Sequence, residues 1–177
     1  MISVAFFRNL NLGHAGSPSG KELVDAFGGE DIARNFQTNG TVIFYSAEPF
    51  RLVRAAQKKL KAYGFSHDVM HRSLAEILAA VECAPRLDPD EDIYRQMISL
   101  FDGAEFPPEI PLPHRTPNGL VEIRAVEEGL VHSVCWKSKN TAGNVTAYLE
   151  KLLAVPVTTR TLGTMQRLIK AASPNET

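Results

Sequence analysis

Residues 1–72 switch between strand and helix periodicity in the order strand, helix, strand, strand, helix, strand, and few topologies accommodate that order. ISVAFFR (2–8) is apolar and rich in β-formers, as a buried strand is. NLNLGHAGSPSG (9–20) follows as a Gly, Ser and Pro-rich loop. KELVDAFGG predicts a short helix with Leu23, Val24 and Phe27 on one face, Ser19 as its cap and the glycine pair as its stop. DIARNF (31–36) and TVIFYS (41–46) read as strands joined by QTNG, because Asn39 and Gly40 both tolerate positive φ. Phe50, Val53, Ala56 and Leu60 recur at helical spacing from Pro49 to Tyr63, and HDVMHRS (67–73) supplies a fourth strand. The expectation for 1–72 is a ferredoxin-like split βαβ unit.

LAEILAAVECA (74–84) reads as a connecting helix halted by Pro85, and RLDPDED (86–92) as a hinge or exposed loop. IYRQMISLF (93–101) is a strand, whereas EFPPEIPLPHRTPNG (105–119) carries five prolines and is irregular. LVEIRAVEEGLVHSVCWK (120–137) is a hairpin turning at Glu128-Gly129. NVTAYLEKLL after Gly143 is a helix, VPVTTR a last strand and TMQRLIKAA a closing helix. The second half thus repeats the first with its first helix eroded to a proline loop. The whole reads as an α+β protein of two subdomains, 1–72 and 93–177, linked through 73–92.

Lys and Arg number 19 against 20 for Asp and Glu, so no nucleic-acid or membrane partner is forced by net charge, though a neutral total can hide a local patch. Cys83 and Cys135 lie in unlike contexts without metal spacing and read as reduced core thiols. The opening apolar run is too short for a secretory core or a membrane span, so the expected compartment is the cytoplasm.

Three polar motifs stand out beside apolar runs: FFRNLNLGHAG (6–16), QTNG (37–40), and Ser138-Lys139 with the later TTRTLGT (158–164). In that order they resemble the bacterial domain-of-unknown-function family 1697. Its first loop reads Arg-Gly-Ile-Asn-Val-Gly-Gly, which Arg8 and Asn11 match while Asn9 replaces a glycine. Its Gln-Ser-Gly-Asn signature is similar to Gln37-Thr38-Asn39-Gly40 with the last two exchanged. Its Ser-Lys pair and Thr-Thr-Arg-Asn-Trp-x-Thr motif are similar to Ser138-Lys139 and Thr158-Thr159-Arg160, with Thr161 and Leu162 departing and Thr164 returning. The resemblance implies a fold and a place to look, not a chemistry, in a divergent member.

The residues themselves suggest an anion. Arg8 and Asn11 precede glycines that lead to a helix N-terminus, a setting that suits phosphate. Arg160 borders a second helix start, and a guanidinium grips phosphate or carboxylate in a bidentate manner. The expected site is a polar cleft between subdomains in which Arg8 and Arg160 hold a small anionic ligand. Asn11, Gln37, Thr38 and Thr159 would line it and Lys139 would close the rim. Plainer readings stand beside it: a Gly/Ser-rich turn, a hairpin corner, and arginines paired with carboxylates.

Other chemistries are less well served. The first loop is neither a P-loop nor G-x-G-x-x-G, so no cofactor is expected. His67 and His71 on one strand lack a third ligand, so no metal is expected. Ser-His-Asp chemistry lacks a nucleophile elbow, and an enzyme acting on a phosphorylated metabolite would need a base the motifs do not supply. The charge run at 88–92 lacks the spacing of a calcium loop. RNA binding through the first sheet is the alternative its layout raises. Phe44 and Tyr45 are adjacent, however, so they face opposite ways and no stacking platform forms.

Overall fold

In the first sheet, β1 (Ile2–Phe7) lies between β3 (Thr41–Tyr45) and β4 (Val69–Ser73), and β2 (Ala33–Phe36) pairs with the outer side of β3. All neighbours are antiparallel, so β1 and β2 run the same way with β3 between them. The computed structural model describes residues 1–173. Residues 174–177, which the sequence reading placed at the end of a second subdomain, lie outside the described residues.

Two helices cover one face of this sheet. α1 (Gly20–Ala26) begins at a capping box in which Ser19 and Glu22 satisfy each other's backbone amides. α2 (Pro49–Ala62) begins at a proline, where the missing N–H costs nothing. Leu23, Val24 and Phe27 meet Val53, Ala56 and Leu60 over Ala5, Phe7, Val42 and Phe44. The Phe27 ring stands 5.1 Å from Phe44 and 6.2 Å from Phe7. Phe50 departs from its expected place in this core: it is 62% exposed, under the Arg54 guanidinium. Val4, Phe6, Ile43 and Met70, on the other face, are buried as well. With Phe6 at 0% and Phe44 at 1% exposure, neither ring is open to a stacked base.

The second sheet has the order β11-β5-β8-β7-β6, antiparallel throughout. Its strands are β5 (Arg95–Phe101), β6 (His114–Arg115), β7 (Val121–Glu127), β8 (Leu130–Cys135) and β11 (Val157–Thr161). Without β6, the order is that of the first sheet, strand for strand. α4 (Val145–Leu153) packs Val145, Leu149 and Leu153 on Phe101, Val121, Ile123, Val131, Cys135 and Val157. Where the first unit has α1, the proline loop lays Ala104 and Phe106 against this core. That loop is not wholly irregular: His114 and Arg115 pair with Ile123 and Glu122, but Pro113 and Pro117 confine the strand to two residues.

The sequence reading is corrected in several further places. A small hairpin, β9 (Lys137–Ser138) with β10 (Thr141–Ala142), was not anticipated. α3 (Leu74–Glu82) follows β4 directly, as expected, but ends two residues short of the expected 84, and α5 (Leu162–Ala172) follows β11 directly, starting two residues before the expected TMQ. The compact units divide within these helices. Among the described residues, one comprises Met1–Leu78 with 168–173, the other Ala79–Arg167. The 86–92 segment is no free hinge, because Glu91 is held by Arg124 through both oxygens, at 2.5 and 3.0 Å. Arg124 is the extra residue of a β-bulge between Ile123 and Ala125, which frees it from the ladder. No helix among the described residues is long and apolar enough to cross a membrane.

His132, on β8, is 1% exposed and neither ring nitrogen has a hydrogen bond; Glu127 Oε1 is 3.5 Å from Nε2. Desolvation lowers its pKa, opposed by Glu127. The unfolded chain therefore takes up this proton near pH 6.5, before the folded one does, and stability drops as pH falls below that value. His132→Leu is expected to flatten the decline in melting temperature between pH 7 and 5; an unchanged slope would contradict it.

Candidate functional site

The two N-terminal motifs meet. Leu12 N donates to Thr38 O and Phe7 N to Gly40 O, each at 2.8 Å, which ties the loop after β1 to the β2–β3 turn. Gly40 is needed there: at φ +67, an added Cβ would stand 2.7 Å from Leu10 Cβ. The turn is built from its own side chains. Asn35 Nδ2 donates to Gln37 O at 2.6 Å, and Thr41 Oγ1 to Asn39 Oδ1 at 2.8 Å. Of the two residues the sequence assigned to positive φ, Gly40 takes it and Asn39 does not; Gln37, at φ +59, is the other left-handed residue of the turn. Asn11, Gln37 and Thr38 are exposed and Arg8 is half-buried, all at one end of the first sheet.

The anion site expected at α1 is not available in that form. The Glu22 carboxylate accepts from Ser19 N at 2.7 Å, and that hydrogen bond holds its pKa below the usual range. A negative charge already occupies the helix N-terminus. The Arg8 backbone is also engaged, its N donating to Asp68 O and its carbonyl lying 3.2 Å from His67 Nδ1. His67 precedes β4 instead of lying on it, so the pairing of His67 and His71 on one strand face does not hold.

Thr159 and Arg160 also part company, because successive strand residues face opposite ways. The Thr159 hydroxyl lies 2.8 Å from both Ser99 Oγ and Thr146 Oγ1, a chain that locks β11 to β5 and α4. Arg160 turns back on its strand, Nη1 donating to Thr158 Oγ1 and Thr159 O at 2.9 Å each. Burial brings its pKa down to about 10, which leaves it charged at neutral pH. Lys139 sits at the exposed tip of the β9–β10 hairpin with φ +53. Cys83 lies beyond α3 and is exposed, not core, whereas Cys135 is buried and its thiol pKa is raised by that burial.

What the C-terminal motif builds is a corner. β11 passes into α5 at Thr161, whose hydroxyl accepts from Thr164 N at 3.1 Å and so caps the helix. An open depression of about 430 Å³ forms there, lined by Arg95, Gln96, Thr161, Leu162, Gly163, Thr164 and Arg167. Arg167 Nη2 donates to Thr164 Oγ1 at 3.1 Å, which holds its guanidinium over the first turn. Arg95 lies over the Tyr94 ring, 4.7 Å from its centroid. Neither arginine has a carboxylate within 4.0 Å among the described residues. First-turn amides, which have no intrahelical partner, add partial positive charge. The corner can hold a compact anion. Sequence reading reached Thr161 and Thr164 but missed Arg95, Gln96 and Arg167. The available signal was Arg167, one turn after Thr164 on the same helix face.

No family model and no curated protein matches this chain. Its structure is similar to that of the conserved bacterial protein SP0830 from Streptococcus pneumoniae, with a TM-score of 0.65 at 18% identity. The match covers 97% of this chain and 98% of that one, so the chain shares the whole two-unit α+β fold with a solved bacterial structure.

Proposed function

We propose that this protein binds a small phosphate- or carboxylate-bearing ligand at the β11–α5 corner. The observation that carries the reading is the convergence of two exposed arginines, Arg95 and Arg167, on the first turn of α5 in one depression. Like charges held together without a carboxylate repel each other, and an anion relieves that repulsion. Arg160, by contrast, is largely buried and gives Nη1 to its own strand. In this reading the protein is cytoplasmic and its first unit ferredoxin-like, which the order β2-β3-β1-β4 supports. It is also a divergent member of the family 1697 type. The φ of +54 at Asn9, where that family carries glycine, supports this.

Pyrophosphate at ten times its dissociation constant should stabilise the fold by about 1.4 kcal/mol. In a chain of this length that raises the melting temperature by about 3–6 °C at low ionic strength. Arg167→Gln and Arg95→Gln should fold and lose the shift, while Arg8→Gln should keep it. Loss in Arg8→Gln with retention in Arg167→Gln would move the site to the N-terminal motifs.

A further inference from the structure

The corner is one end of a longer strip. Tyr94 N donates to Cys135 O at 2.9 Å and Trp136 N to Leu120 O at 3.0 Å, so both rings emerge at the same end of the second sheet. Arg95 lies against the Tyr94 ring from one side of the strip, and Lys137 Nζ is 5.3 Å from the same centroid. Arg115 stands 4.1 Å from the Trp136 centroid, its Nε and Nη2 pinned to Gly119 O at 3.1 and 3.0 Å. Arg167 and Arg95 share the depression, Arg95 and Lys137 share the Tyr94 ring, and Arg115 lies on Trp136, the residue before Lys137. All four are exposed, and none has a carboxylate within 4.0 Å among the described residues. Carboxylates outnumber basic residues in 79–167, which makes the strip a local feature. Glu91, whose carboxyl is shifted down by Arg124 first and more weakly by Arg115, is already committed to Arg124.

We propose that this strip binds single-stranded nucleic acid, with a terminal or backbone phosphate in the β11–α5 corner. The inference rests on the anion-binding reading of that corner and extends it from a single anion to a polyanion that carries bases. Cations spaced along an edge track successive phosphates, while rings and a stacked guanidinium plane offer flat faces to bases. Tyr94 is 41% exposed, and the exposed Arg115 carries its guanidinium carbon 4.1 Å from the Trp136 ring centroid. An acidic peptide would satisfy the charges and leave the flat surfaces unused.

The test is fluorescence anisotropy with a labelled oligouridylate of about 10 nucleotides at low and moderate salt. Four phosphate contacts predict a log–log salt slope of about −3. The double variant Arg115→Glu/Lys137→Glu should lose at least about tenfold in affinity, and Tyr94→Leu about fivefold or more. Reversal of the exposed Lys58 and Lys59 on α2 should change little. No binding at low salt, equal loss in the α2 control, or equal competition by polyglutamate would each overturn the proposal. Pyrophosphate separates the two readings, because Arg115→Glu/Lys137→Glu should keep its melting shift. Oligonucleotide failure with pyrophosphate binding intact removes only the nucleic-acid reading; failure of both removes the corner as well.

Discussion

Gly143→Ala is expected to lower the melting temperature by about 6–12 °C, from a cost of about 3 kcal/mol. An added Cβ would stand 2.1 Å from Leu120 O and 2.8 Å from both Leu120 C and Val121 Cγ2. Two of these atoms are backbone at the entry to β7, and they are not free to move. Gly143 N donates to Trp136 O and Trp136 N to Leu120 O, both at 3.0 Å, so the β9–β10 hairpin is stitched to the same point. Any shift also reaches α4, because the next residue, Asn144, caps it through a 3.0 Å bond to Ala147 N. Gly13→Ala is the control. Gly13 has φ +86 but nothing within 4 Å, so only backbone strain of about 1 kcal/mol opposes the change. Equal melting temperatures for the two variants would show that close packing does not decide the cost at Gly143.

The glycine illustrates what the sequence could and could not convey. Gly143 was legible as punctuation before a helix, yet its demand for space arises from Leu120, more than 20 residues away. Elements whose cause is local were legible: the Ser19 cap, the helix after Gly143, the Glu128-Gly129 turn. The repeat of the two halves was legible because apolar period and turn chemistry agreed in each. The site was legible in part. Thr161 and Thr164 lie in one motif, but Arg95 reaches the corner through strand pairing, Met97 opposite Thr161, which no local pattern encodes. The grouping of Thr159 with Arg160 failed on strand alternation. The anion reading at the first loop left out Glu22, which was in plain sight and caps the helix N-terminus itself.

Arg124→Ala is expected to lower the melting temperature by about 5 °C, since it strips a partly buried guanidinium from two carboxylates. Arg124 is 15% exposed and holds Glu91 through two nitrogens and Glu122 through Nε at 2.9 Å. Its removal leaves two carboxylates near each other without their shared guanidinium and unpins residues 88–92 from β7. The hydrogen bond from Arg124 is also the main cause of the lowered Glu91 pKa. That contribution is complete above the unfolded value near 4.5 and is lost as pH falls through the lower folded value. The variant's deficit should therefore shrink as pH drops from 5 to 3. A deficit that stays constant would assign the loss to packing alone.

The central claim is that the β11–α5 corner is where this fold receives an anion. Amide chemical shifts during a pyrophosphate titration at low ionic strength test it most directly, since every backbone N–H reports its own surroundings. The corner predicts that Leu162, Gly163 and Thr164 move first and saturate together with Arg95 and Gln96, and that Arg167→Gln abolishes the movement. Shifts confined to residues 8–16 and 37–40, with α5 silent, would contradict it.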